Sequence, residues 1–411
     1  MKYFKKASSF LLMAALLLSG TNVANVANAA SYTEEDDGIS KLWKVGDIFY
    51  RIDFTTGTAS YENDIVSGDT LVIPESITYK GKKYPVTTYS STGYNASISK
   101  VRHIVFPDTM RGISVNTRTL PNLESFNIPK NAEAVYTRLR SNIKVTVPAD
   151  QKYFYEKNNA LYFKKEPTVM YMPLSIPKDY TIAEGTTKVC SFNRNQVIEK
   201  VTFPKSVTTI DDRIFSYCRK LKEVNMEKSQ IKKLSENAFE FTSKLTSVKL
   251  PAQLETIHSY AFYNSGIEKV TFPKHLKKIV YGAFKNTNLK KAIIPDSVTH
   301  IGSDAFANCK SLKEVIIPKK LRSVNVNTFA NCKKLKKITF RNTKTAPKFV
   351  KKGTIFKGCS KGIKLYVKNK KVAKSLKKQL MKTSIKKAKI YAGKKLVYKN
   401  VTGKEKIKIF Y

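Results

Sequence analysis

From about residue 200 onward the apolar positions of the chain return at a fixed interval. Phe203-Pro204, Leu250-Pro251, Phe272-Pro273, Ile294-Pro295 and Ile317-Pro318 set prolines 47, 22, 22 and 23 residues apart, and Met226-Glu227 divides the longest gap into 23 and 24. A second series, Phe215, Phe239, Phe262, Phe284, Phe306 and Phe329, is preceded five residues earlier by Ile210, Leu234, Ile257, Ile279, Ile301 and Val324. Leu221, Leu245, Ile267, Leu289, Leu312 and Leu335 follow, then Val224, Val248, Val270, Ala292, Val315 and Ile338. The unit reads I-x-x-x-A-F-x-N-C-x-x-L-x-x-V-x-F-P. Its L-x-x-V-x-F portion alternates side-chain faces and stops at proline, which predicts a short strand. The A-F-x-N-C portion turns the chain back.

A period near 23 is too short for a helix pair and falls in the leucine-rich-repeat range. Each unit is one coil, and coils stacked roughly 4.8 Å apart merge their apolar columns into one core. The fold class expected is a mainly-β repeat solenoid of leucine-rich-repeat coils of about 22–24 residues. Two polar columns run beside the phenylalanines. Asn264, Asn286, Asn308 and Asn331 read as a stacked amide ladder that satisfies turn backbone. Cys218, Cys309, Cys332 and Cys359 share a column with Thr242, Ser265 and Thr287. Exchange with Ser and Thr points to small buried side chains rather than metal ligands.

With these residues the chain resembles the BspA-type bacterial surface leucine-rich-repeat proteins. The likeness extends upstream in degenerate form. Leu71-Val72-Ile73-Pro74 followed by Tyr79-Lys80-Gly81-Lys82-Lys83-Tyr84-Pro85-Val86 resembles that family's first coil and hairpin. Asn159-Ala160-Leu161-Tyr162 with Met170-Tyr171-Met172-Pro173 resembles its inserted hairpin. The pattern departs at residues 90–100 and 138–143. The resemblance implies a surface protein, with attachment to host extracellular-matrix proteins or to other bacteria as its role.

Stacked coils leave open strand edges, so each end needs a cap. At the front, residues 48–54, a Thr56-Gly57 turn and residues 58–61 read as a hairpin, preceded by the acidic run Glu34, Glu35, Asp36 and Asp37. At the back, residues 363–367 read as a strand. Asn369 caps a helix with Val372, Leu376 and Leu380 on one face, and two short strands meet at Gly393. The expected divisions are a leader at 1–29, an N-terminal β cap at 30–70, a solenoid at 71–359 and a basic α/β cap at 360–411. The solenoid is degenerate before 200 and regular over 201–340. The leader follows from Lys2, Lys5 and Lys6, an apolar stretch at 10–18 and an A-x-A site at Ala27 and Ala29. The mature protein is then secreted or held on the bacterial surface.

Charge changes the picture at one end. The chain carries 75 Lys and Arg against 31 Asp and Glu, a net +44, and residues 341–411 hold 24 of the cations with a single acid, Glu405. Lys370, Lys371, Lys374, Lys377, Lys378, Lys386 and Lys387 are therefore candidates for a polyanion such as wall teichoic acid or a glycosaminoglycan. On the strand face, the residue after each Val position points away from the core. This places Asn225, Lys249, Thr271, Ile293, Ile316 and Thr339 in one outward column, a candidate protein-binding surface centred on Ile293 and Ile316. Four dispersed His and the absence of H-E-x-x-H, G-x-S-x-G or a glycine-rich phosphate loop give no catalytic, metal or cofactor site. No nucleic-acid module is recognisable. The expected protein is a monomeric, non-enzymatic binding or adhesion protein. The rival is a structural envelope protein tethered by its lysines.

Overall fold

The computed structural model describes residues 39–401 except 46–47, 64–67, 92–99, 118, 140–142, 175–176, 343, 351–353, 382, 384 and 386. The leader, the acidic run at Glu34 to Asp37, and Lys386 lie outside the described residues, as do parts of 90–100 and 138–143. The described chain winds a mainly-β solenoid of about 13 turns.

Each regular coil has three sides. The first is the strand before the proline position, such as Lys200–Thr202, Glu223–Asn225 and Ser247–Lys249, which pair in parallel with Val201, Val224 and Val248 in register. The second is a two-residue strand such as Thr256–Ile257, Lys278–Ile279 and His300–Ile301, also parallel and in register. The third is the turn through the phenylalanine. There the residues two before and two after each Phe are left-handed. Arg213, Asn237, Tyr260, Gly282, Asp304 and Asn327 form the first set and Tyr217, Phe241, Asn264, Asn286, Asn308 and Asn331 the second, with φ between 53° and 62°. The backbone is joined coil to coil in one direction, for example Phe215 N–H to the Ala238 carbonyl, Phe239 to Ala261, Phe262 to Ala283 and Phe284 to Ala305.

Stacking like on like brings every phenyl ring onto its counterpart. From Phe192 through Phe215, Phe239, Phe262, Phe284, Phe306 and Phe329 to Phe356, ring centroids are 4.9–6.1 Å apart with planes within 27° of parallel. Phe192 and Phe356 extend the column beyond the six units whose spacing is regular. All eight rings are buried. Aromatic pairs at this offset and spacing add to the burial of 150–250 Å² per ring that each coil lacks on its own.

The front of the molecule is built from hairpins. Ser40–Val45, Ile48–Asp53 and Thr58–Asn63 form an antiparallel run, and Thr58–Asn63 then pairs in parallel with Lys82–Ser90. Ser76–Tyr79 folds back on Lys82–Ser90 as the first hairpin. The inserted hairpin, Phe154–Lys157, Ala160–Phe163 and Val169–Pro173, is a seam between two hydrophobic cores. Leu161 and Met172 pack into the core that contains Tyr50, while Ala160, Tyr162 and Met170 pack into the one that reaches Val401. Alternation along a strand turns successive residues to opposite cores.

At the back, helix α1 (Lys370–Leu380) is capped by the Asn369 side chain, which accepts from the Val372 N–H at 2.9 Å. Val372, Ala373, Leu376 and Leu380 are buried against the last coils. Gln379 ties the helix down, donating to the Pro347 carbonyl and accepting from the Phe349 N–H. Lys364–Val367 continues the strand side in parallel with Ala388–Ala392, and Lys395–Val401 closes it as an antiparallel hairpin. Both caps thus take the forms expected, β at the front and α/β at the back.

Replacing Phe262 by Ala opens a cavity in the middle of the phenyl column. The expected loss is about 3–5 kcal/mol, to be read from urea unfolding followed by far-ultraviolet circular dichroism.

Candidate functional site

The strand side carries the outward column proposed for ligand binding, and the structure divides it. Thr202, Asn225 and Lys249 are neighbours in a four-stranded sheet that ends at Lys249. Ile293, Ile316 and Thr339 are neighbours in a second sheet of six strands. Thr271 lies between them, exposed, in a coil whose strand segment joins neither ladder. The single continuous column expected from the sequence is therefore broken at this residue. The cause is local. The Phe262 turn is one residue shorter than the two before it, and Gly266 lies so close to the preceding coil that a Cβ there would collide with the Ser243 carbonyl. The coil stays in step, with the Glu268 N–H donating to the Thr246 carbonyl and the Lys290 N–H to the Glu268 carbonyl, but its segment through Thr271 forms no strand.

Beyond Thr339 the row goes on through residues that the repeat pattern does not mark, because they lie in the irregular cap. Thr339 pairs with Tyr366, Tyr366 with Tyr391, and Tyr391 with Leu396 across the hairpin. The two tyrosine rings stack at 4.9 Å and 15°. Ile293 is 47% and Leu396 42% exposed, with Ile316, Thr339 and the tyrosines half-buried between them. The flanking row is Lys291, Glu314, Lys337, Lys364 and Lys389. Glu314 is held by both Lys291 and Lys337 at 2.9 Å, and the Lys337 ammonium also lies 5.4 Å from the Tyr366 ring centre. The result is an apolar and aromatic strip edged by ammonium groups.

Acids elsewhere are spent in the same way, on cations one coil away. Glu199 meets Lys222, Glu255 meets Lys277 and Glu268 meets Lys290, while Asp296 reaches Arg341 two coils on. Hydrogen bonding to Lys222 and Lys277 holds the carboxyls of Glu199 and Glu255 below the usual range. Burial pushes Glu314 up, but its two lysines more than reverse that. The cap has no such relief, since residues 341–401 contain no acid. Lys370, Lys371, Lys374, Lys378 and Lys387 are exposed there, whereas Lys377 is half-buried with its ammonium 4.3 Å from the Tyr398 ring centre.

The asparagine column has a different reason from the one its spacing suggested. Asn264, Asn286, Asn308 and Asn331 are left-handed, at φ 54°, 62°, 59° and 59°, a conformation that Asn tolerates better than other side chains with a Cβ. Asn331 donates to the Asn308 amide oxygen at 2.8 Å, but the column is chosen by backbone handedness rather than by amides bonding turn backbone. The cysteine column is buried as expected at Cys218, Cys309 and Cys332 and half-buried at Cys359. Each thiol donates to the Phe carbonyl of the preceding coil, at 2.9–3.1 Å. Burial raises the thiols of Cys218 and Cys359 to about 12 and about 11, which disfavours the thiolate a metal or a nucleophile would require. Cys190 stands outside the column and is likewise raised by burial to about 12. Among the described residues no three His, Cys, Asp or Glu side chains come together to hold a metal ion, and no helix is long and apolar enough to cross a membrane.

The profile of the BspA type leucine-rich repeat region matches residues 178–290 and 277–401, in six copies. The chain belongs to the BspA type leucine-rich repeat family. Solved structures include similar repeat proteins. A leucine-rich repeat protein from Bacteroides ovatus is 20% identical, covering 81% of this chain and 96% of its own, with a TM-score of 0.38. The pneumococcal vaccine antigen PcpA is 17% identical over 86% of this chain and 98% of its own, TM-score 0.38. The Treponema protein described as T. pallidum leucine rich repeat protein is 21% identical over 49% and 85%, TM-score 0.35. No curated protein matches the chain.

Two outcomes test this account of the coil. Asn286→Gly should keep its stability, while Asn286→Ala should lose roughly 1–2 kcal/mol, because the need is for a left-handed backbone and not for the amide; thermal unfolding of the pair decides. Glu199 and Glu255 titrate below their unfolded value of 4.5, so their contribution is complete above that pH and is lost as the pH falls through the folded values. Calorimetry from pH 6 to 3 should show the melting temperature falling most steeply below about pH 4.5.

Proposed function

We propose that the protein is an exported bacterial surface protein that binds a protein partner through its strand side, without catalysis or cofactor. The observation that carries this reading is the row Ile293, Ile316, Thr339, Tyr366, Tyr391 and Leu396 on one unbroken six-stranded ladder. Apolar and aromatic side chains at the centre with lysines at the rim have the composition of an interface, where aromatic anchors supply most of the binding energy. Lys249 and Thr271 lie outside that ladder and would contribute only at its margin. The partner class is an extracellular-matrix or bacterial surface protein, and the protein acts as a monomer. Residues 1–29 act as the leader and 30–70, 71–359 and 360–411 as cap, solenoid and cap.

A second reading has its own support in the cap without acids. Exposed Lys370, Lys371, Lys374, Lys378 and Lys387, joined by Lys386 and by the aromatic-seated Lys377, would hold the protein to anionic wall polymer. Cutting the chain at residue 360 would be a poor test, because Ile363, Leu365, Val372, Leu376 and Ile390 belong to the core. Charge removal on the surface is the cleaner change.

The test uses the mature protein on immobilised collagen, laminin and fibronectin, beside Ile293→Lys/Ile316→Lys and Lys370→Ala/Lys371→Ala/Lys374→Ala/Lys378→Ala. The expected result is binding to at least one matrix protein that survives 0.5 M salt. The isoleucine variant should bind at least tenfold more weakly, while the lysine variant keeps its affinity. Binding lost with salt and with the lysines, but not with the isoleucines, would instead establish the tether.

A further inference from the structure

The turn side holds a feature that neither the repeat nor the binding row requires. At the left-handed positions flanking each buried phenylalanine, most coils use Asn, Asp, Gly or Arg, but three use an aromatic: Tyr217 at φ 60°, Phe241 at φ 55° and Tyr260 at φ 55°. A bulky side chain in this region is a true outlier, and strain of this kind persists where the surroundings or a function demand it. The rings are not in the buried phenyl column. They form a separate half-exposed ribbon with Tyr263 and Tyr281. Tyr217 and Phe241 stack at 4.6 Å, Phe241 meets Tyr263 at 5.5 Å, Tyr263 meets Tyr260 at 5.4 Å, and Tyr260 meets Tyr281 at 5.1 Å. The steps at Tyr263 and Tyr281 are near perpendicular, 81° and 89°, so stacking does not consume every ring face. Gly282 provides the seat: a Cβ there would stand 2.8 Å from Tyr260 Cε1. The Arg194 guanidinium lies 5.3 Å from the Tyr217 ring centre.

The ribbon runs directly into a groove. Two consecutive coils, those of Phe262 and Phe284, are each one residue shorter between Phe and the next apolar position than the coils on either side. The groove is a shallow, open depression of about 450 Å³ lined by Asn264, Asn286, Thr287, Asn288, Asn308 and Lys310. In the same column, then, aromatics give way to carboxamides. Where the neighbouring turns are longer, their extra length carries exposed cations, Arg219, Lys220 and Lys244 before the groove and Lys310, Lys333 and Lys334 after it. None of these six has an acidic partner within 4 Å among the described residues. The acids of this side are Asp212 and Glu236, three residues before their phenylalanines, and Glu240 and Asp304 within the turns, of which Glu240 accepts from the Ser216 hydroxyl and Asp304 pairs with Lys285 at 3.3 Å.

We propose that this aromatic and amide track is a binding site for an acidic oligosaccharide, lying across the coils of the turn side. Ring faces take the C–H faces of pyranose units, the amides donate to and accept from hydroxyls, and the cations at the turn tips take carboxylate or sulfate groups. A neutral amide has both a donor and an acceptor, which suits hydroxyls better than it suits a purely anionic or purely apolar ligand. Charge at the edge then selects acidic chains over neutral ones. This site is on a different side of the coil from the row proposed for a protein partner, and it stands or falls independently.

The deciding variant restores the repeat's own residue at all three strained positions: Tyr217→Asn/Phe241→Asn/Tyr260→Asn. Titration calorimetry at 0.15 M salt would use a hyaluronan hexasaccharide, a teichuronic-acid hexasaccharide and, as a neutral control, maltohexaose. The expected result is saturable binding of at least one acidic hexasaccharide by the native chain, with maltohexaose at least tenfold weaker. The triple variant should lose tenfold or more in affinity while its melting temperature stays the same or rises. Which acidic hexasaccharide binds distinguishes a host from a bacterial source. The proposal is overturned if the native chain binds neither acidic sugar, or if the variant binds as well as the native chain. It is also overturned if the variant melts lower, since the rings would then be structural. The same titrations are run in a Lys370→Ala/Lys371→Ala/Lys374→Ala/Lys378→Ala background, which removes the cap's own attraction for polyanions; the tenfold loss on Tyr217→Asn/Phe241→Asn/Tyr260→Asn must persist there, and its disappearance overturns the proposal.

Discussion

Every coil in this molecule is pressed against its own equivalent, one strand spacing away, and that register governs the rest. A column can hold only what tolerates an identical neighbour on either side. Phenyl rings do, because offset stacking of near-parallel rings is favourable, and eight of them run unbroken from Phe192 to Phe356. Small hydroxyls and thiols do, because each can donate to a backbone carbonyl without needing its neighbour. Left-handed asparagine does, because the demand is set by the backbone and repeats with it.

A lysine beside a lysine is unfavourable, and acids in the regular coils stand where they separate such pairs. In the regular coils a carboxylate one coil away separates ammonium groups that would otherwise face each other, most plainly where Glu314 stands between Lys291 and Lys337. Pairs at this exposure add little net stability each, so their value lies in lowering repulsion within a chain of net +44. The C-terminal cap has a single acid, Glu405, and its helix lysines are fanned around an exposed face, although Lys364 and Lys389 continue from Lys337 as like neighbours on the strand side. Fanning relieves the repulsion through distance and leaves an electropositive end available to an anionic surface.

Departures from the repeat are where exposed aromatic side chains are concentrated. The strand row gains its tyrosines where the regular unit stops, and the turn ribbon arises where left-handed positions carry rings in place of Asn or Gly. A solenoid permits this because exposed positions are not needed to hold one coil on the next. The two rows lie on different sides of the solenoid and for the most part on different coils, the ribbon from Tyr217 to Tyr281 and the strand row from Ile293 to Leu396.

The period, the apolar columns, the strand ending at proline, the thiol column and the amphipathic helix beginning after Asn369 were all legible in the chain, because each is a local pattern repeated until chance is no explanation. The family followed from the same columns. Tertiary structure decided what depends on how neighbouring coils meet. The break at Thr271 lies in the coil where Gly266 closes on the Ser243 carbonyl, a contact invisible along the chain. Tyr366, Tyr391 and Leu396 joined the strand row only when a parallel strand and a hairpin brought residues of the irregular cap beside Thr339. The handedness at Tyr217, Phe241 and Tyr260 could not be read either, since a column of mixed Tyr, Phe and Asn has no common chemistry until its shared φ is known. Repetition encodes the stack in the sequence, while contact between unlike coils exists only once the stack has formed.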